Sequence, residues 1–171
     1  MPVPTATISP LAPPSAIERP AEDARTFHHR FIAAPTDKVW DIMANRIEEW
    51  FCPTPWRAEF PKLERRAGGT SDCVMYGPDG EVQPNPGTVI AWDEGRRFAF
   101  TDALVGDLEP SGPFMVGIWE IEPAEENGVS GTRYTARARH WTEDACKQHD
   151  EMGFTEGWGA CADQLKALAV A

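Results

Sequence analysis

The stretch Glu151–Val170, EMGFTEGWGACADQLKALAV, decides the fold. Apolar side chains recur at Phe154, Trp158, Cys161, Leu165 and Leu168, a spacing that keeps them on one face of a helix. Ala160, Ala162, Ala167 and Ala169 add helix propensity, while Asp163, Gln164 and Lys166 supply a wet face. Gly153, Gly157 and Gly159 crowd the first turns, each costing about 1 kcal/mol relative to alanine. Such a cluster marks this end for close backbone approach, a kink or an opening.

Upstream the period changes from helix to strand. Across Thr132–His140, Arg133, Thr135, Arg137 and Arg139 alternate with Tyr134, Ala136, Ala138 and His140, so the arginines face water and the second set faces inward. Phe114–Ile121 is the expected hairpin partner across an acidic loop, Glu122–Gly131, and Thr142 is the expected N-cap of the terminal helix. Strands are expected at Arg57–Arg66, Thr70–Tyr76, Thr88–Trp92 and Arg97–Thr101, with loops at Pro84–Pro86 and Asp102–Pro113. Pro78-Asp79-Gly80 is a tight-turn signal. Arg25–Ile32 reads as a first strand with no cleanly apolar face. Pro35 ends it, and Thr36 is the expected N-cap of a short helix, Asp37–Ala44, striped by Val39, Trp40 and Met43. A helical turn at Ile47–Phe51 is stopped by Pro53 and Pro55. One strand, two short helices, about six further antiparallel strands and one long helix make an α+β chain rather than a wound parallel sheet.

Length and composition set limits. The 171 residues suit one domain, 25–171, behind a tail, 1–24, whose six prolines read as extended or disordered. A net charge of −11 without a basic patch excludes a nucleic-acid binder. No apolar run approaches the ~18 residues of a membrane span, and the first residues lack a signal peptide's basic and apolar regions, so the expected location is cytoplasmic. Cys52, Cys73, Cys146 and Cys161 form no CxxC pair, which leaves zinc and thioredoxin-like chemistry without support.

Arg30, Ile32, Ala34 and Pro35 (R-x-I-x-A-P), Val39-Trp40, Trp50, Gly68-Gly69, Gly77–Gly80 (GPDG), Gly87 with Val89, Gly131-Thr132-Arg133 and Met152–Trp158 (M-G-F-x-E-G-W) occur in an order that is more specific than any one of them. Together they resemble the START/SRPBCC superfamily, the birch-pollen-allergen-like proteins, in the branch named after the activator of the heat-shock chaperone ATPase. The resemblance covers about Arg25–Val170. It implies a helix-grip fold, a curved antiparallel sheet of about six to seven strands around the C-terminal helix, with a cavity between them. It does not imply one function, since members include lipid and hormone carriers, cyclases, oxygenase domains and chaperone regulators.

The segment Trp50–Trp56 and the loop Thr101–Leu104 are expected to flank the mouth, where Asp102 either orients a polar ligand group or starts a turn. In the family's register Ser71, Cys73, Met75, Phe98, Phe100, Trp119, Tyr134 and His140 face the helix and Phe154 and Trp158 face back, with Trp50 at the mouth. These are the ligand-binding candidates, and the small inward residues Ser71, Gly117, Ala136 and Ala138 among aromatics favour an apolar pocket over a filled core. His140 and Tyr134 are the candidate proton carriers if the protein is an enzyme. Cys73 and Cys161 lack a visible base, and His149 with Glu156 lacks the second histidine that a metal helix needs. The leading expectation is therefore binding of a small apolar molecule, with no cofactor and no metal. A cyclase or hydrolase using the same cavity and a chaperone-ATPase interaction module are the alternatives, the latter lacking the companion domain of better-known members. Phe27 and Phe31, if outward, favour a homodimer or a docked tail.

Overall fold

The structure, a computed structural model, describes residues 25–171, with side chains from residue 28 onward. The expected tail at 1–24 and the side chain of Phe27 lie outside the described residues. The chain forms β1 (Arg25–Ile32), α1 (Thr36–Asn45), a 3₁₀ turn at Ile47–Glu49, β2 (Arg57–Leu63), β3 (Thr70–Tyr76), β4 (Val82–Asp93) and β5 (Arg97–Thr101). There follow β6 (Leu104–Val105), β7 (Glu109–Pro110), β8 (Met115–Glu126), β9 (Val129–His140), α2 (Glu143–Glu151) and α3 (Phe154–Val170). Seven strands make one curled antiparallel sheet in the order β1-β9-β8-β5-β4-β3-β2, and α3 runs across its concave face. This is the expected α+β helix-grip arrangement.

Several local expectations change, among them the loop at 102–113, which contains the short β6–β7 pair. The acidic stretch after Ile121 is not a loop, because β8 continues to Glu126 and turns through Asn127 (φ 51) and Gly128 (φ 76) into β9. That pair of left-handed residues is the two-residue hairpin turn whose twist matches its strands. Pro84 and Pro86 lie inside β4, which is tolerated because β5 pairs only from Thr88 onward and leaves that half of β4 bonded on one side. Thr36 does not cap α1; it lies within the helix, with its hydroxyl 3.2 Å from the buried Thr132 Oγ1, which donates its one proton to Ala34 O at 2.8 Å. Thr142 accepts from Ala145 N at 3.1 Å, but the helix it caps is α2, a separate element that ends before α3. Gly153, with φ +85, makes the break.

The core follows the expected stripe of α3. Cys161, Ala162, Leu165 and Ala169 are buried and meet Val39, Met43 and Ile47 together with the inner face of the sheet, while the buried Phe154 packs apart from them against His28, His149 and Trp158. Gln164, expected on the wet face, is half-buried instead. Its amide donates to Trp50 O and Cys52 O at 3.2 and 2.9 Å and accepts from Thr54 N at 2.8 Å. Those bonds fasten the second half of α3 to the segment 50–54, because the carbonyls there have no strand to pair with.

Candidate functional site

A cleft of about 720 Å³ lies between the concave side of β3, β4 and β5 and the first half of α3. Phe51, Cys52 and Pro53 close one end; the other is formed by Ser111–Gly112, Phe114, His149 and Met152. The aromatic wall is continuous. Trp119 and Trp158 stack with centroids 4.8 Å apart, Phe154 lies 4.5 Å from Trp158, and Phe51 and Phe100 sit 5.1 and 5.5 Å from Trp119.

Eight of the expected ligand-binding residues line this cleft: Ser71, Cys73, Met75, Phe100, Trp119, Tyr134, Phe154 and Trp158. Three do not. Trp50 is fully buried under Tyr134 and Phe51, Phe98 lies in the core between Trp92 and Trp119, and His140 sits behind His149. The small residues also play a different part from the one expected. A Cβ on Gly117 would stand 2.5 Å from the end of the Trp119 indole, and Ala136 is the strand partner of Trp119. The space above Gly117 is thus taken by Trp119, and the cleft opens farther along the sheet, over Ser71 and Cys73.

Four titratable groups at the cleft are held uncharged. Burial pushes the Cys73 and Cys161 thiols up to about 12, so neither is a nucleophile at neutral pH. Burial likewise raises Tyr134 well above the usual phenol value, keeping its hydroxyl protonated. His149 is lowered to about 4, first by burial and then by the neighbouring His140, whose Nε2 is 2.8 Å from His149 Nδ1. Asp102, a candidate for orienting a ligand, instead accepts from Phe114 N and Met115 N at 2.9 and 3.1 Å and braces the start of β8. Among the described residues no group of three His, Cys, Asp or Glu side chains is placed to hold a metal ion.

With this architecture in view, a family model described as activator of Hsp90 ATPase homolog 1-like protein matches residues 33–169. The chain belongs to that family. Protein NE0264 from Nitrosomonas europaea, known from an X-ray crystal structure, is 36% identical, covering 86% of this chain and 94% of that one at a TM-score of 0.78. Protein Ms6760 from Mycobacterium smegmatis is 28% identical over 86% of this chain and 91% of that one, with a TM-score of 0.68. An AHSA1 protein from Silicibacter pomeroyi shares the fold at 16% identity, 84% and 95% coverage and a TM-score of 0.61. Among curated proteins, none matches the sequence.

In this activator-homologue chain Phe60, Phe114 and Met115 line the cleft without having been singled out in the sequence, Phe51 was placed at the mouth only as part of the segment Trp50–Trp56, and His149 was not expected at the cleft. Phe51 follows the helical turn at Ile47–Glu49, and Phe114 precedes β8, so neither belongs to a period that assigns it a face. His149 was legible only as a metal-ligand candidate, because α2 and α3 read as one helix and the turn that aims it inward was invisible.

Among the described residues no helix is long and apolar enough to cross a membrane.

Proposed function

We propose that the protein binds a small, mostly apolar molecule in the cleft between the sheet and α3. The observation that carries this reading is the volume itself. A filled core leaves few voids larger than a water molecule, whereas about 720 Å³ faced by Trp119, Trp158, Phe100 and Phe154 lies within the range of small-molecule sites. Cys73, Cys161, Tyr134 and His149 are uncharged there at neutral pH, so burying apolar ligand surface beside them costs little competing desolvation. Cys73 and Cys161, with thiols near 12, do not support a covalent mechanism.

Native mass spectrometry of the freshly purified protein, followed by tryptophan-fluorescence titration with a panel of lipids, aromatics and polyketides, tests the reading. Saturable quenching is expected, because Trp119 and Trp158 form the wall, and Trp158→Ala should weaken binding at least tenfold. Absence of binding across the panel, together with stimulation of a purified chaperone ATPase, would replace this function with a regulatory interaction.

A further inference from the structure

We propose that His149 is the hydrogen-bonding contact for a hydroxyl on the bound molecule, that His140 positions it, and that the cleft prefers such a neutral head over a carboxylate. This rests on the ligand-binding reading and adds the chemistry that would be recognised.

His149 is the single α2 side chain at the cleft. Its ring is packed by Phe154 at 4.3 Å, Phe114 at 5.2 Å and Trp158 at 6.2 Å between centroids. Its Nδ1 is 2.8 Å from Nε2 of His140, and His140 is only 3% exposed. Aromatic packing and that bond together prevent the ring from turning, so Nε2 is the nitrogen left for the cleft. The pair also couples the two tautomers. When His140 donates, His149 carries its proton on Nε2 and donates into the cleft; when His149 donates to His140, its Nε2 accepts instead. A hydroxyl both donates and accepts, so it suits either arrangement, whereas a carbonyl suits one.

The same lining disfavours an anion. No lysine or arginine borders the cleft among the described residues, and its one carboxylate, Asp102, is of the same sign. A carboxylate head would lose its hydration with no counter-charge to replace it. The imidazole is itself uncharged at neutral pH, because burial and His140 oppose its protonation.

Three probes of one shape separate these terms: 2-naphthol, 2-methylnaphthalene and 2-naphthoate, measured at pH 7 by calorimetry with protein titrated into ligand. The wild type should bind 2-naphthol about tenfold more tightly than 2-methylnaphthalene, the value of one hydrogen bond that would otherwise go unmade, and 2-naphthoate most weakly. His149→Phe keeps an aromatic ring against Phe154 and should bind 2-naphthol and 2-methylnaphthalene alike. His140→Phe should lose the hydroxyl preference while keeping the affinity for 2-methylnaphthalene, and ¹⁵N spectra should show the tautomer balance of His149 change once its Nδ1 partner is gone. Equal wild-type binding of all three probes, a preference for 2-naphthoate, or a hydroxyl preference that survives His149→Phe overturns the inference and leaves the ligand-binding reading standing. If no probe binds, the inference falls, and the panel titration decides the ligand-binding reading separately.

Discussion

Two glycines four residues apart at the head of α3 should respond to the same substitution with opposite signs. Gly157 has ordinary helical geometry, and a Cβ built on it meets nothing nearer than Pro53 Cγ at 3.9 Å, an unstrained contact. Gly157→Ala therefore gains the helix-propensity difference of about 1 kcal/mol with no steric charge against it. For a domain of this size that is a rise of about 2–4 °C in melting temperature. Gly153 has φ +85, and its added Cβ would meet only Glu156 Oε2 at 3.9 Å. Space is available there too, so the entire penalty of Gly153→Ala is the left-handed backbone, about 1–2 kcal/mol. Urea melts with unchanged m-values measure both. Loss of stability in Gly157→Ala, or no loss in Gly153→Ala, refutes the assignment of one glycine to an opening and the other to a helix break. The alanine at 157 also projects into the cleft, so bulky ligands should bind that variant more weakly although it is the more stable protein.

The remaining expectations concern titration and thiols. His149 is lowered to about 4 in the native state from about 6.5 when unfolded, so between those values the unfolded chain binds the extra proton. Stability should thus be full above about pH 6.5 and fall as pH drops toward 4, with a slope below about 1.4 kcal/mol per pH unit because the ring is only partly buried. His28, also lowered by burial, adds to the slope, so His149→Phe should flatten the denaturation profile over pH 5–6.5 without abolishing its slope. Iodoacetamide at pH 8 should modify the half-exposed Cys146 in the native protein and spare Cys73 and Cys161, whose thiols sit near 12, with all four labelled in denaturant. Rapid native labelling of Cys73 or Cys161, read by mass spectrometry of peptides, would contradict the inert setting assigned to them.

The fold was largely legible because its main signals are periodic. The alternation in β9 named its inward residues correctly, and the spacing from Phe154 to Leu165 named the buried face of α3. What was not legible depended on single dihedrals or on partners distant in sequence. Asn127-Gly128 is a hairpin signal, yet the acidic residues around it have the composition of a loop. Gln164 is polar and looks solvated until the carbonyls of Trp50 and Cys52 are brought against it. His140 was placed on the inward face, where it is, but no pattern along the chain shows that His149 stands between it and the cleft.

The position of the cleft follows from where α3 is held. The helix packs against the β1 edge of the sheet and against α1, with Arg30 on β1 bonded to Asp163 at 2.7 Å and Gln164 tied to segment 50–54. Near that edge the gap is filled, since Tyr134, Ala136 and Trp119 meet Cys161, Ala162 and Leu165 in one cluster. The sheet then curls onward through β5, β4 and β3, and there Phe100 and Met75 share the inner face with the smaller Ser71, Cys73 and Gly87. Small residues on the far strands, not those beside Trp119, leave the space open. The break at Gly153 then lets α2 turn back across one end of that space and bring His149 over it, which a helix running straight from Glu143 to Val170 could not do. One left-handed glycine thereby converts the start of a packing helix into a wall with a polar contact at its rim.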